Sequence, residues 1–409
     1  MLNQEQLDLL TRVGPGTPMG GLMRQFWIPA LRAGRLTPDG APVRVGLLGE
    51  TFVAFRATDG RVGFFEEGCP HRRCSLALAR NEENGLRCIF HGWKIDVSGV
   101  VVDVPTEPAD RRARFAATIP VRHYPVREAG GILWVWLGAG EPGQFPAFNW
   151  LDLKPDQITI RIGIINSNWL NGLEGQLDSA HVGILHQDRI NPGAMRSNSL
   201  NGLVGHDSAP RFEFEPQPYG YREAALRTLP DGNIYARVRE FVLPWYSYIP
   251  NGSREQRQLC TISVPIDDSH SAQWDVWYNL SGPLEPMDDV TAFGRDQPDD
   301  IAAGMGGIDS RFGQDRATMK AGAWSGFAAT RLEDFAVAVA QGQVSDRTRE
   351  NLGSTDASIV RARRLLLEAV GRHQGGDGIP GFDRPIEWGA IRAFDTVFAP
   401  GTDWRALPR

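Results

Sequence analysis

Cys69-Pro70-His71 and Cys88-Ile89-Phe90-His91 place a thiol and an imidazole one residue apart, then, sixteen residues on, a second thiol and imidazole two residues apart. The chain has only 4 cysteines and 8 histidines in 409 residues. Two mixed sulfur and nitrogen pairs this close point to a shared metal site rather than to scattered core thiols. A structural zinc site also uses two cysteines and two histidines, but its paired ligands usually stand two to four residues apart. A one-residue gap fits it poorly. Both pairs read as loops between strands.

A Rieske [2Fe-2S] cluster has the donor set that this spacing fits: two thiolates on one iron and two neutral imidazoles on the other. The imidazoles raise its potential to roughly −150 to +300 mV. The expectation is a chain that moves electrons through Cys69, His71, Cys88 and His91. Respiratory-type Rieske motifs resemble C-x-H-x-x-C with C-x-C-H, their extra cysteines joined in a disulfide. Here Cys74 occupies the first extra place and Phe90 the second. Cys74 thus lacks a motif partner, and Cys260 lies far away in an apolar run. Both read as buried, inert thiols.

A charged fraction of 22% and a hydrophobic fraction of 42% are those of an ordinary globular chain, long enough for two or three domains. No run approaches a membrane span. The start Met1-Leu2-Asn3-Gln4-Glu5-Gln6 has neither a basic region nor an apolar core, so no secretory signal is expected and the cytoplasm is the expected location. A net charge of −6 argues against nucleic acid as a partner.

Three stretches are expected: an N-terminal helical segment over 1–38 broken at Gly14-Pro15-Gly16, a β-rich domain over 39–150, and a second domain over 151–409. Strands are expected at 42–54, at 62–65 after the turn Thr58-Asp59-Gly60, and at 132–137. In the second domain they are expected at 158–164, 211–214, 219–227, 236–243, 258–265 and 272–280. Residues 284–322, rich in Gly and Asp, read as a mobile surface segment able to cover a site. A helix is expected over 359–370. The tail after Gly375 reads as coil needing a surface to lie on, such as a neighbouring subunit.

The second chemical constellation is Asn168-Trp169-Leu170-Asn171-Gly172-Leu173-Glu174-Gly175-Gln176-Leu177-Asp178-Ser179-Ala180-His181-Val182-Gly183-Ile184-Leu185-His186. On one helix Glu174, Asp178 and His181 would share a stripe. Two carboxylates there repel, which a purely structural helix gains nothing from. His186 falls five residues after His181, so bringing both imidazoles to one metal requires a break, expected near Gly183.

With these residues in view, the chain resembles the catalytic α subunit of the Rieske non-heme iron ring-hydroxylating oxygenases, and within them the phthalate dioxygenase group. The resemblance is carried by Phe26-Trp27-Ile28-Pro29-Ala30, the two cluster patches, Asp178-x-x-His181-x4-His186, and Asp346-Arg347-Thr348-Arg349-Glu350-Asn351-Leu352-Gly353. It implies an α+β fold: a small antiparallel β Rieske domain and a helix-grip catalytic domain with a curved antiparallel sheet. It also implies a mononuclear Fe(II) held by two histidines and one carboxylate, with positions left for dioxygen. His181 and His186 would be two ligands. The family's late Asp followed seven residues on by Gln points to Asp334 and Gln341 for the third. Thr330-Arg331-Leu332-Glu333 also reads as a capping box, which would favour Asp334 in a first helical turn without any metal.

The resemblance further implies head-to-tail homotrimers, with stacking into a hexamer left open. Asp178 would bridge His181 to a cluster histidine of the neighbouring subunit, His71 or His91. NADH electrons would arrive from a separate flavin and iron-sulfur reductase, directly or through a ferredoxin, because the chain has no nucleotide-binding glycine fingerprint. Between His71 and Ile95, Arg72, Arg73, Arg80, Arg87 and Lys94 face Glu82 and Glu83, a local balance of +3 that either steers an acidic reductase or is plain solvated loop charge. A pure electron carrier would not need the second site, so an oxygenase is favoured. The leading expectation is hydroxylation of an aromatic compound in catabolism, as a dioxygenase or monooxygenase, with oxidative O- or N-dealkylation as the alternative. The aromatic run over 239–250 suits a pocket for a flat ring or ordinary core. Arg211, Arg222 and Arg227 are candidate partners for an anionic substrate, although strand arginines more often face solvent.

Overall fold

The computed structural model describes residues 2–190, 200–250, 257–284, 306–382 and 384–407. The chain divides into two compact units, one built from Gly14–Gly16 and Gly20–Pro146, the other from Met1–Val13, Thr17–Met19 and Ala147–Arg409. The 1–38 stretch is therefore not one helical segment. Helices Gln4–Thr11 and Pro18–Met23 are followed by strand β1, Trp27–Arg32. The first helix is capped by Asn3, whose side chain accepts from Gln6 N at 2.8 Å.

The smaller unit is antiparallel β. β2 (Val43–Leu47), β3 (Glu50–Arg56) and β4 (Val62–Glu66) form one sheet; β5 (Arg80–Glu82), β6 (Gly85–Arg87), β7 (Lys94–Asp96) and β8 (Val101–Asp103) form a second; β9 (Val126–Ala129) and β10 (Ile132–Trp136) join β1 in a third. The stretch 42–54, expected as one strand, is a hairpin. Leu48 and Gly49 both take positive φ (50° and 75°), the two-residue turn whose twist matches its flanking strands. The core joins Val53, Phe55 and Phe65 to Cys69, Cys88 and Trp93.

Among the described residues the larger unit holds an eight-stranded antiparallel sheet with helices packed on it. Its strands are β11 (Ile158–Ile165), β12 (Arg211–Gln217), β13 (Gly220–Thr228), β14 (Ile234–Val242), β15 (Tyr246–Ile249), β16 (Arg257–Pro265), β17 (Ser271–Asn279) and β18 (Phe394–Phe398). The expected α+β fold is the one observed. The tail after Gly375 is not coil awaiting a neighbour, since β18 pairs with β14 of its own sheet. The aromatic run is split at Leu243-Pro244-Trp245, and Trp245, Tyr246 and Tyr248 are core, packed with Phe148 and Trp150. Most of the segment expected to be mobile, 285–305, lies outside the described residues.

Helix Trp169–Leu177 packs on β15, β16 and β17. Gly172 permits this close approach, because a Cβ there would stand 2.3 Å from the Gln273 side chain. Asn168 caps the helix, its Oδ1 accepting from Leu170 N at 3.1 Å while its Nδ2 donates to Thr11 O at 2.9 Å. Helix Ala357–Gly375 extends the expected 359–370 and packs against both Gln4–Thr11 and Trp169–Leu177.

Candidate metal centres

The two cysteine loops share one backbone design. Cys69 N donates to Cys74 O at 2.8 Å and Cys88 N to Trp93 O at 2.9 Å; Arg73 N and Gly92 N return to Cys69 O and Cys88 O. The residue four after each cysteine, Arg73 or Gly92, takes positive φ to close the loop. The thiols of Cys69 and Cys88 are buried. His71 and His91 point their Nδ1 atoms at one another across 3.1 Å, and the His71 ring stacks on Trp93 at 4.5 Å. Burial, then His91, lowers the pKa of His71, favouring the neutral imidazole that a metal takes. Two buried sulfurs with two converging nitrogens suit the mixed-ligand cluster. Cys260 is buried as expected, but Cys74 is only partly buried and packs on the same core as Cys69 and Cys88.

The second centre departs from a continuous helix. Helix Trp169–Leu177 ends because Asp178 is extended (φ −82°, ψ 122°). Arg239 fixes that end, donating to Gln176 O at 3.0 Å and to Leu177 O. Glu174, Asp178 and His181 are thus not one stripe, and Glu174 does not oppose Asp178. It is buried in a cage of arginines: Arg347 Nη2 at 2.9 Å and Arg363 Nε at 2.6 Å, with Glu350 closing on Arg363 at 2.6 Å. The 346–353 motif is therefore structural at Arg347 and Glu350.

After the extended residue come two single-turn helices, Val182–Leu185 and Gln187–Ile190. His181 precedes the first and His186 separates them, so the break lies at His186 rather than at Gly183. It turns the two imidazoles together, with ring centroids 5.1 Å apart. Asp334 arrives from helix Thr330–Ala340. Ligand atoms of His181, His186 and Asp334 lie within 4.8 Å of one another. Asp334 Oδ1 is 3.0 Å from His186 Nε2 and 3.7 Å from His181 Nε2.

Each imidazole is held from behind. Asp178 Oδ2 lies 3.2 Å from His181 Nδ1, and Glu333 Oε2 lies 2.5 Å from His186 Nδ1. Carboxylates on both Nδ1 atoms aim both Nε2 lone pairs at Asp334, the arrangement that metal-binding histidines favour. Burial alone would lower the pKa of His186, but Asp334 and Glu333 outweigh it and raise it to about 9. Burial would likewise raise Asp334; His186, then Arg331, hold it down at about 2. Two nitrogens and one oxygen converging with their rear atoms satisfied fit a divalent iron. No capping box forms at Thr330. The N-cap is Ala329 without a side-chain bond, and Glu333 turns to His186 and Ser325. Glu333, Ser325 and Arg331 are site residues that sequence reasoning missed; the glutamate three residues after Thr330 was the visible signal, read as a cap. Gln341 is the C-cap of the same helix and is exposed.

Residues 26–125 match the Rieske [2Fe-2S] domain, and residues 135–409 match the LigXa C-terminal domain like family. The chain is 37% identical to the phthalate 4,5-dioxygenase oxygenase subunit of Pseudomonas putida, covering 99% of this chain and 94% of that one. It is 33% identical to the 3-chlorobenzoate-3,4-dioxygenase oxygenase subunit of Comamonas testosteroni (98% and 96%). It is 30% identical to the 5,5'-dehydrodivanillate O-demethylase oxygenase subunit of Sphingobium sp. (92% and 82%). In fold it resembles the terminal oxygenase of carbazole 1,9a-dioxygenase from Nocardioides aromaticivorans IC177, with a TM-score of 0.62 and 20% identity over 92% of this chain and 98% of that one. No described helix is long and apolar enough to cross a membrane. The chain belongs to the Rieske non-heme iron oxygenases, as the terminal oxygenase component of a multicomponent enzyme whose cofactors are a Rieske [2Fe-2S] cluster and a mononuclear iron.

Proposed function

We propose that the chain hydroxylates an aromatic compound bearing a carboxylate, with Cys69, His71, Cys88 and His91 holding the cluster and His181, His186 and Asp334 holding Fe(II). The observation that carries this reading is the convergence of two Nε2 atoms and Asp334 Oδ1, each imidazole being fixed from behind by a carboxylate. Reduced iron supplies activation of dioxygen beside the substrate. The protein orients the ligands through Asp178 and Glu333. Electrons come from NADH through a flavin and iron-sulfur reductase, directly or through a ferredoxin, to a cytoplasmic homotrimer in which Asp178 links His181 to a cluster histidine of the next subunit.

The carboxylate preference rests on the alternation of β13 and β14. Ala224, Leu226, Ala236 and Val238 share one face with Trp404 in a core. The opposite face carries Glu223, Arg227, Arg237 and Arg239, of which Arg239 pairs with Glu223. Arg227 and Arg237 are fully buried, and among the described residues neither has a carboxylate within ion-pair distance. Arg227 Nη2 donates to Ser179 O at 2.8 Å, between Asp178 and His181, while its buried Nη1 has no hydrogen-bond partner among the described residues. Burial, then Arg237, lowers the pKa of Arg227 to about 10. Uncompensated buried cations are costly, and a bound anion relieves the cost. Of the other candidates, Arg222 is buried but answers Glu215 and Glu240, and Arg211 is exposed beside Glu213.

The test is product analysis with NADH, a surrogate reductase and a panel of aromatic acids, methoxyarenes and N-alkyl anilides. A vicinal diol from an aromatic acid is the expected product. Released aldehyde would favour oxidative dealkylation, the second reading, which the O-demethylase relative supports. Arg227→Met should raise KM for acids by about 10–100-fold, as expected when a charge-assisted contact is lost, and spare neutral substrates.

A further inference from the structure

We infer that Arg331 is a positioning residue that restricts Asp334 to one oxygen toward the iron, an inference that rests on Asp334 being an iron ligand. The two carboxylate oxygens have different surroundings: Oδ1 faces both histidine Nε2 atoms, and Oδ2 lies 3.5 Å from Arg331 Nη1. Arg331 stands three residues before Asp334, where successive turns of a helix bring side chains together. Its remaining edge is locked from a separate element. Nε donates to Asp275 Oδ2 at 2.6 Å and Nη2 to Asp275 Oδ1, a two-pronged fork onto β17. Asp275 is itself buried in the sheet.

Helix formation does not account for this arginine. Thr330 and Arg331 open the helix, and a cation there faces the positive end of the helix dipole. Arg331 is nonetheless held against Asp275 with its free edge turned to the ligand carboxylate. A carboxylate whose second oxygen is engaged presents a single donor. Two imidazoles and one oxygen then leave neighbouring coordination positions for small molecules, whereas a chelating carboxylate would take one of them. The sheet, through Asp275 and Arg331, thereby sets how many sites the iron keeps open.

The experiment is EPR of the nitric oxide adduct of the ferrous mononuclear site, with the cluster oxidised and therefore silent, alongside iron content and melting temperature. Arg331→Gln and Asp275→Asn should both change the rhombicity of the nitrosyl signal and weaken nitric oxide binding by about tenfold, with Arg331→Lys between them and wild type. Should Arg331→Gln shed its iron, Asp275→Asn decides, because it loosens the fork while leaving the Arg331 guanidinium in place. A wild-type nitrosyl signal and nitric oxide affinity in iron-replete Asp275→Asn, with only a lowered melting temperature, would make the fork structural and overturn the inference. Full mononuclear iron in Asp334→Ala would instead overturn the ligand reading on which it rests.

Discussion

Asp178 serves its own chain at two points at once: Oδ1 accepts from Ala180 N at 2.7 Å, and Oδ2 lies 3.2 Å from His181 Nδ1. One oxygen shapes the turn out of the helix and the other orients the imidazole. Burial would raise the pKa of this carboxyl, but His181 outweighs it and holds it below the usual carboxylate value.

Asp178→Asn keeps a near-isosteric side chain but loses the charge facing the imidazole. The variant should retain cluster and mononuclear iron, and reductase should still reduce the cluster, while product formation falls by about 100-fold or more. Single-turnover product yield beside cluster reduction measured by absorbance separates the two steps. Near-normal coupled turnover would remove Asp178 from the path; loss of iron would make it part of metal binding.

His181→Ala, His186→Ala and Asp334→Ala should each lower iron from the cluster pair plus one to the cluster pair alone, with the visible cluster spectrum unchanged. Metal analysis against that spectrum checks this. These three residues belong to the larger unit and the cysteine loops to the smaller one, so removing one of them leaves the loops intact.

Glu174→Gln should destabilise the larger unit by about 3–5 kcal/mol at neutral pH, since it takes the carboxylate away from buried Arg347 and leaves Arg363 with Glu350 alone. The pH dependence has a definite sign. Burial would raise the pKa of Glu174, but Arg347, then Arg363, outweigh it and hold the folded value below the usual glutamate value. The stabilisation is therefore present above the unfolded value and is lost as pH falls through the depressed folded value. Urea melts of both proteins should converge over that acidic range; a gap constant with pH would refute the assignment.

Reductase-driven cluster reduction should depend only weakly on salt. Arg73 pairs with Glu66, Arg80 with Glu82, Arg87 with Glu82 and Asp103, and Lys94 with Glu83. The local positive charge counted from sequence is thus largely cancelled. Arg72 is different, lying over the Phe90 ring at 5.7 Å beside exposed Ile89. Arg72→Glu should slow reduction at low ionic strength by several-fold and have little effect at high salt, as screening predicts. Stopped-flow traces across a salt series measure it.

The cysteine and histidine loops were legible because their signal is local: four donors within a short stretch, on loops that backbone bonds close. The α+β class and most strands were legible from alternation and turn residues. What escaped was set by partners far along the chain. Glu174 looked like half of a carboxylate stripe because Arg347 and Arg363 lie 173 and 189 residues away. Glu333 looked like a cap because its true partner, His186, lies on another element. Arg222 and Arg227 looked solvent-facing because alternation alone does not reveal that both faces of β13 are covered. The 42–54 hairpin was hidden because Leu48, an apolar residue, occupies a positive-φ turn position.

The first helix carries a consequence for synthesis. Leu10 O accepts from Trp169 Nε1 at 3.1 Å, and Thr11 O accepts from Asn168 Nδ2. Between these partners in the chain lies the whole cluster unit, Gly14–Gly16 and Gly20–Pro146. At roughly 5–20 residues per second on the ribosome, Gln4–Thr11 emerges before its partners and waits many seconds, while the cluster unit can complete its three sheets behind it. A change within Gln4–Thr11 therefore strikes the unit that carries His181, His186 and Asp334, although the nearest neighbour in sequence is the unit that carries Cys69 and Cys88.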